Sequence, residues 1–173
     1  MVGTSGSGKS TLASLIAARC KIGHLELDSL YHQAGWAPLP DGDFQQRVSA
    51  FTRRANWVID GNYAQVRPLI LQRCTLVVIL DYNRPIIMWR VIRRTLSRIL
   101  MQKTLWNGNR ESMKFLFTLN RDENIILWAW STFASRRASF DELAKQLPKT
   151  IELVRLTKPS QAKAFIAGLR ITN

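Results

Sequence analysis

Gly3-Thr4-Ser5-Gly6-Ser7-Gly8-Lys9-Ser10, with Thr11-Leu12-Ala13-Ser14-Leu15-Ile16-Ala17 directly behind it, is the stretch whose reading decides the fold. It fits the pattern G-x-x-x-x-G-K-[ST], in which glycines let backbone N–H groups wrap a polyphosphate, a lysine reaches the β- and γ-phosphates, and a hydroxyl ligates magnesium. A helix starting near Gly8 adds unpaired N–H groups and the positive end of its dipole. The pattern predicts a bound nucleoside triphosphate, ATP, with Mg2+. Its binding set is Gly3, Thr4, Ser5, Gly6, Ser7, Gly8, Lys9, Ser10 and Thr11. The alternative, a flexible Gly/Ser turn that matches by chance, has eight consecutive matching residues and a following amphipathic helix against it. Such a loop normally follows a buried parallel strand, yet only Met1 and Val2 precede Gly3. The first strand is therefore expected to be nearly absent. Either the natural start lies upstream, the reading favoured here, or the loop is poorly anchored and binds phosphate weakly.

At 173 residues and 46% hydrophobic content the chain has the length and composition of one ordered domain with a real core. No apolar signal region opens it, and runs such as Leu76-Val77-Val78-Ile79-Leu80 are too short to cross a bilayer, so a cytoplasmic protein without membrane contact is expected. Cys20 and Cys74 lack metal-ligand spacing and read as buried free thiols. Lys and Arg number 25 against 12 Asp and Glu, a formal charge of +13, which calls for an anionic partner. The excess concentrates between Tyr82 and Arg137, where eleven basic residues face three acidic ones. A phosphate clamp, a nucleic-acid surface and a solvated basic face all produce such a segment.

Helical spacing of Leu12, Ala13, Leu15, Ile16 and Ala17 predicts a helix over 9–20. His24 to Asp28 reads as a short strand ending in an acid, with 29–42 as loop, where Tyr31 and Trp36 either stack on a ring or pack the surface. A helix is expected over 43–55, a strand over Trp57-Val58-Ile59-Asp60 before the turn at Gly61, and a short helix within 64–73. Thr75 to Asp81 is a continuous apolar run ending in an acid, as in a parallel strand covered on both faces. Asp28, Asp60 and Asp81 are thus expected at one sheet edge, where ligands of open α/β sheets bind. A helix over 84–102 places Met88, Ile92, Leu96 and Ile99 on an apolar stripe and Arg90, Arg94 and Arg98 on another face. Lys103 to Glu111 breaks it, as a hinge or lid would. An aromatic helical segment over 112–137, a helix near 140–147, a strand over 150–156 and a closing helix over 159–169 complete one three-layer α/β domain.

Taken together, Gly3 to Ser10, Leu27-Asp28-Ser29-Leu30-Tyr31, Trp57 to Tyr63, Trp106-Asn107-Gly108-Asn109-Arg110-Glu111 and Trp128-Ala129-Trp130 resemble adenylate-kinase-like phosphate-loop proteins of the DNA topology modulation, kinase-like ATPase subgroup. The likeness covers nearly the whole chain. It implies a parallel five-stranded sheet flanked by helices, an acceptor-side insertion at about 29–55 and a lid at about 100–125. The chain departs from nucleoside monophosphate kinases after Gly61, where Asn62-Tyr63-Ala64 replaces their Gly-Phe-Pro-Arg turn. That argues against adenylate kinase activity and leaves Arg67 as the substitute grip. Asp28 sits where related small-molecule kinases carry an acid near the acceptor hydroxyl.

The expected activity is magnesium-dependent transfer of the ATP γ-phosphate to a small acceptor. Lys9 serves the phosphates, Ser10 and Asp60 serve the metal with Asp81 as the alternative, and Asp28 orients the acceptor. Arg94, Arg98 and Arg110 belong to the lid side. The competing expectation is an ATP-dependent nucleic-acid-binding protein that uses the basic middle segment, although no known nucleic-acid module is visible.

Overall fold

The computed structural model describes all residues except 103, 111–117, 119–123 and 170–173. Its elements alternate: β1 (Val2–Gly3), α1 (Lys9–Cys20), β2 (Gly23–Glu26), α2 (Leu27–Tyr31), α3 (Asp41–Thr52), β3 (Trp57–Asp60), α4 (Arg67–Leu71), β4 (Leu76–Leu80), α5 (Arg84–Leu100), α6 (Ile125–Gln146), β5 (Glu152–Leu156) and α7 (Pro159–Gly168). Short 3-10 turns at Ala34–Trp36 and Trp106–Gly108 interrupt the long connections.

The strands form two parallel sheets, β1-β4-β5 and β2-β3, and not the single five-stranded sheet expected from the resemblance. The reason is the brevity of β1. One edge pairs with β4, Val2 opposite Ile79 and Gly3 opposite Leu80. Toward β3 the contacts are those of Met1, its amino group donating to Ile59 O at 2.6 Å and its carbonyl accepting from Gly61 N at 3.2 Å. One residue joins the two sheets but cannot make a ladder.

β4 is buried along Val77–Leu80, as its unbroken apolar run requires. Its side chains alternate between two clusters. Val78 and Leu80 pack with Leu12 and Ile16 of α1, Ile87 and Val91 of α5, and Ala129 and Phe133 of α6. Val77 and Ile79 pack with Phe140 and Leu143 from the far half of α6. A third cluster, Leu27, Leu39, Phe44, Val48, Ile59 and Val66, fixes α2 and α3 against β3. Full burial of one such aliphatic or aromatic side chain stabilises by about 2 kcal/mol, so these clusters anchor the strand ends that carry polar residues.

Several expectations are corrected. β2 stops at Glu26, two residues before Asp28, because Leu27 already begins α2 and is fully buried there. Residues 29–42, read as loop, therefore include most of a short helix and a 3-10 turn. The buried row of α5 is Ile87, Val91 and Thr95; Leu96, with Trp89, Leu100 and Met101, is exposed. The two helices expected over 112–137 and 140–147 meet in one continuous helix from Ile125, since no Gly or Pro interrupts it. Asn124 caps that helix by accepting from Ile126 N and Leu127 N. The part of the expected lid carrying Phe115 and Phe117 lies outside the described residues. Among the described residues no helix is long and apolar enough to cross a membrane.

Candidate active site

β1 runs directly into the loop 4–8, which closes on itself through Ser7 N donating to Thr4 O at 3.1 Å. Gly6 and Gly8 take φ of 80° and 88°, values that favour glycine. They differ in what surrounds them. A Cβ at Gly6 would strike Val91 Cγ2 at 2.6 Å, so that glycine permits close packing on α5. At Gly8 the nearest atom would be Arg90 Nη1 at 3.5 Å, which leaves the mouth of the loop open. Gly8 is also the N-cap of α1, and among the described residues no side chain caps the helix. Its first N–H groups are thus presented at the loop with the positive dipole end.

Two arginines of α5 brace the loop. Arg90 Nη1 donates to Ser7 O at 2.9 Å while its guanidinium lies over the Tyr82 ring, and Arg94 Nη2 donates to Ser5 Oγ at 2.9 Å. Arg94 therefore meets the loop itself. Arg90, part of the same i, i+4 row, went unassigned in the sequence although its spacing marks it.

Ser10, in the first turn of α1, lies at the centre of a polar cluster. β2 and β3 pair in register with Glu26 opposite Asp60, so the two carboxylates emerge side by side. Ser10 Oγ is 2.7 Å from Glu26 Oε1 and 2.7 Å from Asp60 Oδ1. A hydroxyl owns one proton and can donate to only one of them. Each carboxylate is held at its far oxygen by a ring nitrogen: Trp106 Nε1 donates to Glu26 Oε2 at 2.9 Å, and His24 Nε2 lies 2.7 Å from Asp60 Oδ2. Asp60 is fully buried.

Asp28 stands one step outward. Tyr63 Oη donates to its Oδ1 at 2.8 Å, and Lys9 Nζ lies 3.7 Å from its Oδ2. Burial first, and then the neighbouring Asp28 charge, push the Tyr63 phenol above its ordinary range, so it remains a proton donor. Tyr63 belongs to the turn where the chain departs from the kinase pattern, and Gly61 at φ 131° makes that turn possible: a Cβ there would meet Leu27 Cβ at 2.7 Å. Arg67 donates to Asn62 Oδ1 at 2.9 Å within the same turn.

The chain matches no protein-family model and no curated protein. The structure brings together the loop, Lys9, Ser10, Asp28 and Asp60 and adds Glu26, Tyr63, His24 and Trp106. Glu26 escaped the sequence reading because the strand was extended to Asp28; its alternation with His24 was the available signal. Asp81 is not brought to Ser10. It is buried and engages Arg137 Nε at 3.0 Å and Arg155 Nε at 3.1 Å, with Arg155 also bound to Asp141 at 2.6 Å. Arg98 is half-buried on α5, Arg110 is exposed beside its bridge partner Thr104, and Thr11 is exposed on α1. Arginines 90, 94, 137 and 155 thus spend part of the basic excess on contacts within the chain.

The oxygen set at Ser10 suits a hard divalent cation such as Mg2+, which keeps several waters and takes one or two carboxylates plus phosphate oxygens. Among the described residues no three His, Cys, Asp or Glu side chains form a group that could hold a metal ion by themselves.

Proposed function

We propose that this protein is a magnesium-dependent phosphotransferase that moves the γ-phosphate of ATP to a small acceptor bearing a hydroxyl. The observation that carries the reading is the Ser10 hydroxyl set between Glu26 and Asp60 at 2.7 Å each, at the N-terminus of the helix that follows the glycine-rich loop. Two adjacent carboxylates around one proton make a place where positive charge is stabilised. Bound Mg2+ would neutralise charge on the β- and γ-phosphate oxygens, with Ser10 as the direct ligand and Asp60 and Glu26 holding its waters.

The chain's own residues then divide the work. Backbone N–H groups of Gly6 to Ser10 would cradle the phosphates, with Lys9, 3.7 Å from Asp28, as their side-chain cation. Asp28, oriented by Tyr63, accepts the acceptor hydroxyl proton. As that proton leaves, the acceptor oxygen bonds to the γ-phosphorus and the bond from phosphorus to the β,γ-bridging oxygen breaks, releasing ADP. Such transfer rests mainly on positioning and charge neutralisation. Arg90 and Arg94 hold the loop in shape through Ser7 O and Ser5 Oγ.

Phosphorus NMR of the protein with Mg-ATP and a panel of nucleosides, nucleotides, polyols and hydroxy acids tests the assignment. A new phosphate ester that forms together with ADP supports it. Release of ADP and inorganic phosphate alone, unchanged by every acceptor, overturns it in favour of an ATP-controlled binding protein.

A further inference from the structure

The segment 105–109 clasps the segment 29–36 across more than seventy residues of sequence. Asn107 Nδ2 donates to Ser29 O at 3.2 Å and His32 O at 2.5 Å. Asn109 is buried, donates to Gln33 O at 2.9 Å and accepts from Trp36 N at 3.0 Å. Asn107 at φ 55° and Gly108 at φ 81° turn the chain back, and Leu105 N closes the turn on Asn109 O at 2.7 Å. The Trp106 ring stacks on His32, with planes 17° apart, and meets Trp36 edge on. Its indole N–H reaches past these rings to Glu26 Oε2, and the opposite oxygen of Glu26 faces Ser10.

We propose that Trp106 is a positioning residue that couples the docked 105–109 clasp to the orientation of Glu26, so that the acceptor-side wall and the cation-binding face of the site are set together. The inference rests on the function proposed above. Packing alone would be satisfied by any flat apolar ring at position 106. The N–H directed at a carboxylate oxygen is what packing does not need. Glu26 and Asp60 have matching arrangements, each with one oxygen on Ser10 and the other on a ring nitrogen, but the two nitrogens differ in origin. His24 is two residues from Glu26 on the same strand, whereas Trp106 comes from the distant clasp. Only the Glu26 side therefore depends on whether 105–109 is seated. Outer-shell donors of this kind orient ligand oxygens, and losing one costs about 10- to 100-fold in metal affinity.

Trp106→Phe keeps an aromatic ring at the position and removes the N–H. Mn2+ binding by electron paramagnetic resonance, with a non-hydrolysable ATP analogue present, is compared with analogue binding in the absence of metal. The expected result is about 10-fold weaker Mn2+ binding with metal-free analogue affinity and thermal midpoint held. Unchanged Mn2+ affinity, or an equal fall in both affinities, overturns the proposal. Glu26→Gln keeps the proposal testable without changing Trp106, and the double variant measures the coupling between the two residues. Adding Trp106→Phe to Glu26→Gln is expected to weaken Mn2+ binding little further; a full additional loss contradicts the coupling. Failure of the wild-type protein to bind Mn2+ with the analogue would instead overturn the phosphotransferase reading, which separates the two ideas.

Discussion

The ends of β3 and β4 carry the same sequence signature, an apolar strand closing on an aspartate, yet the fold uses them in opposite ways. Asp60 meets two groups that do not cancel its charge by ion pairing with arginine: the Ser10 hydroxyl, shared with Glu26, and the His24 ring. Asp81 meets two guanidinium groups, from Arg137 and Arg155. Both carboxylates are buried, so burial does not separate them. The partners do. A carboxylate matched by fixed arginines is a structural tie, while the hydroxyl contact that Asp60 shares with Glu26 is the feature on which the proposed cation site rests.

The largest effect that would sharpen this contrast is expected from Lys9→Ala. Turnover should fall about 100-fold or more, because a positive group facing the phosphates is lost, while the thermal midpoint stays within a few degrees. Steady-state kinetics and a melting curve on the same sample check it; retained turnover would move the chemistry away from the β3 end. Asp81→Ala is expected to do the reverse. Breaking a buried pair can cost several kcal/mol, but Arg137 and Arg155 are partly exposed and can re-solvate, so about 2 kcal/mol is expected in urea unfolding. Turnover of the folded fraction should be unaffected.

Arg90→Ala should have a smaller, mixed effect. Losing its hydrogen bond to Ser7 O removes about 1 kcal/mol of loop support, read as about fivefold weaker nucleotide binding in calorimetry. Unchanged affinity would show that the loop holds its shape without that brace. The smallest effect concerns Tyr63. Its folded pKa is raised, so the stability it contributes is fully present below the unfolded value of about 10 and is lost as pH rises beyond it. Urea midpoints from pH 8 to 11 should therefore fall less steeply for Tyr63→Phe than for the wild type. Parallel curves would show that Tyr63 titrates normally.

What the sequence made legible was local. The glycine-rich loop, the helix behind it and the β4 run each declare themselves within a dozen residues, and Asp60 follows from a strand, a glycine and a turn. What stayed hidden depends on distance. Trp106 lies 80 residues from Glu26, and no periodicity links them. Glu26 was missed by two residues, since the boundary of β2 is set by Leu27 entering the third cluster and not by a Gly or Pro. The fate of Asp81 turns on arginines of α6 and β5 that only the folded sheet brings near it. The five-stranded sheet is not what the fold shows: Val2 and Gly3 ladder with β4, and the hydrogen bonds toward β3 are those of Met1.

The most direct test of the central claim is titration calorimetry of ATP binding with and without Mg2+ for Asp60→Asn and Asp81→Asn side by side. The account predicts that Asp60→Asn loses most of the metal-dependent gain in affinity, about 10-fold or more, while Asp81→Asn binds Mg-ATP like the wild type. An undiminished metal effect in Asp60→Asn, or an equal loss in both variants, would contradict it.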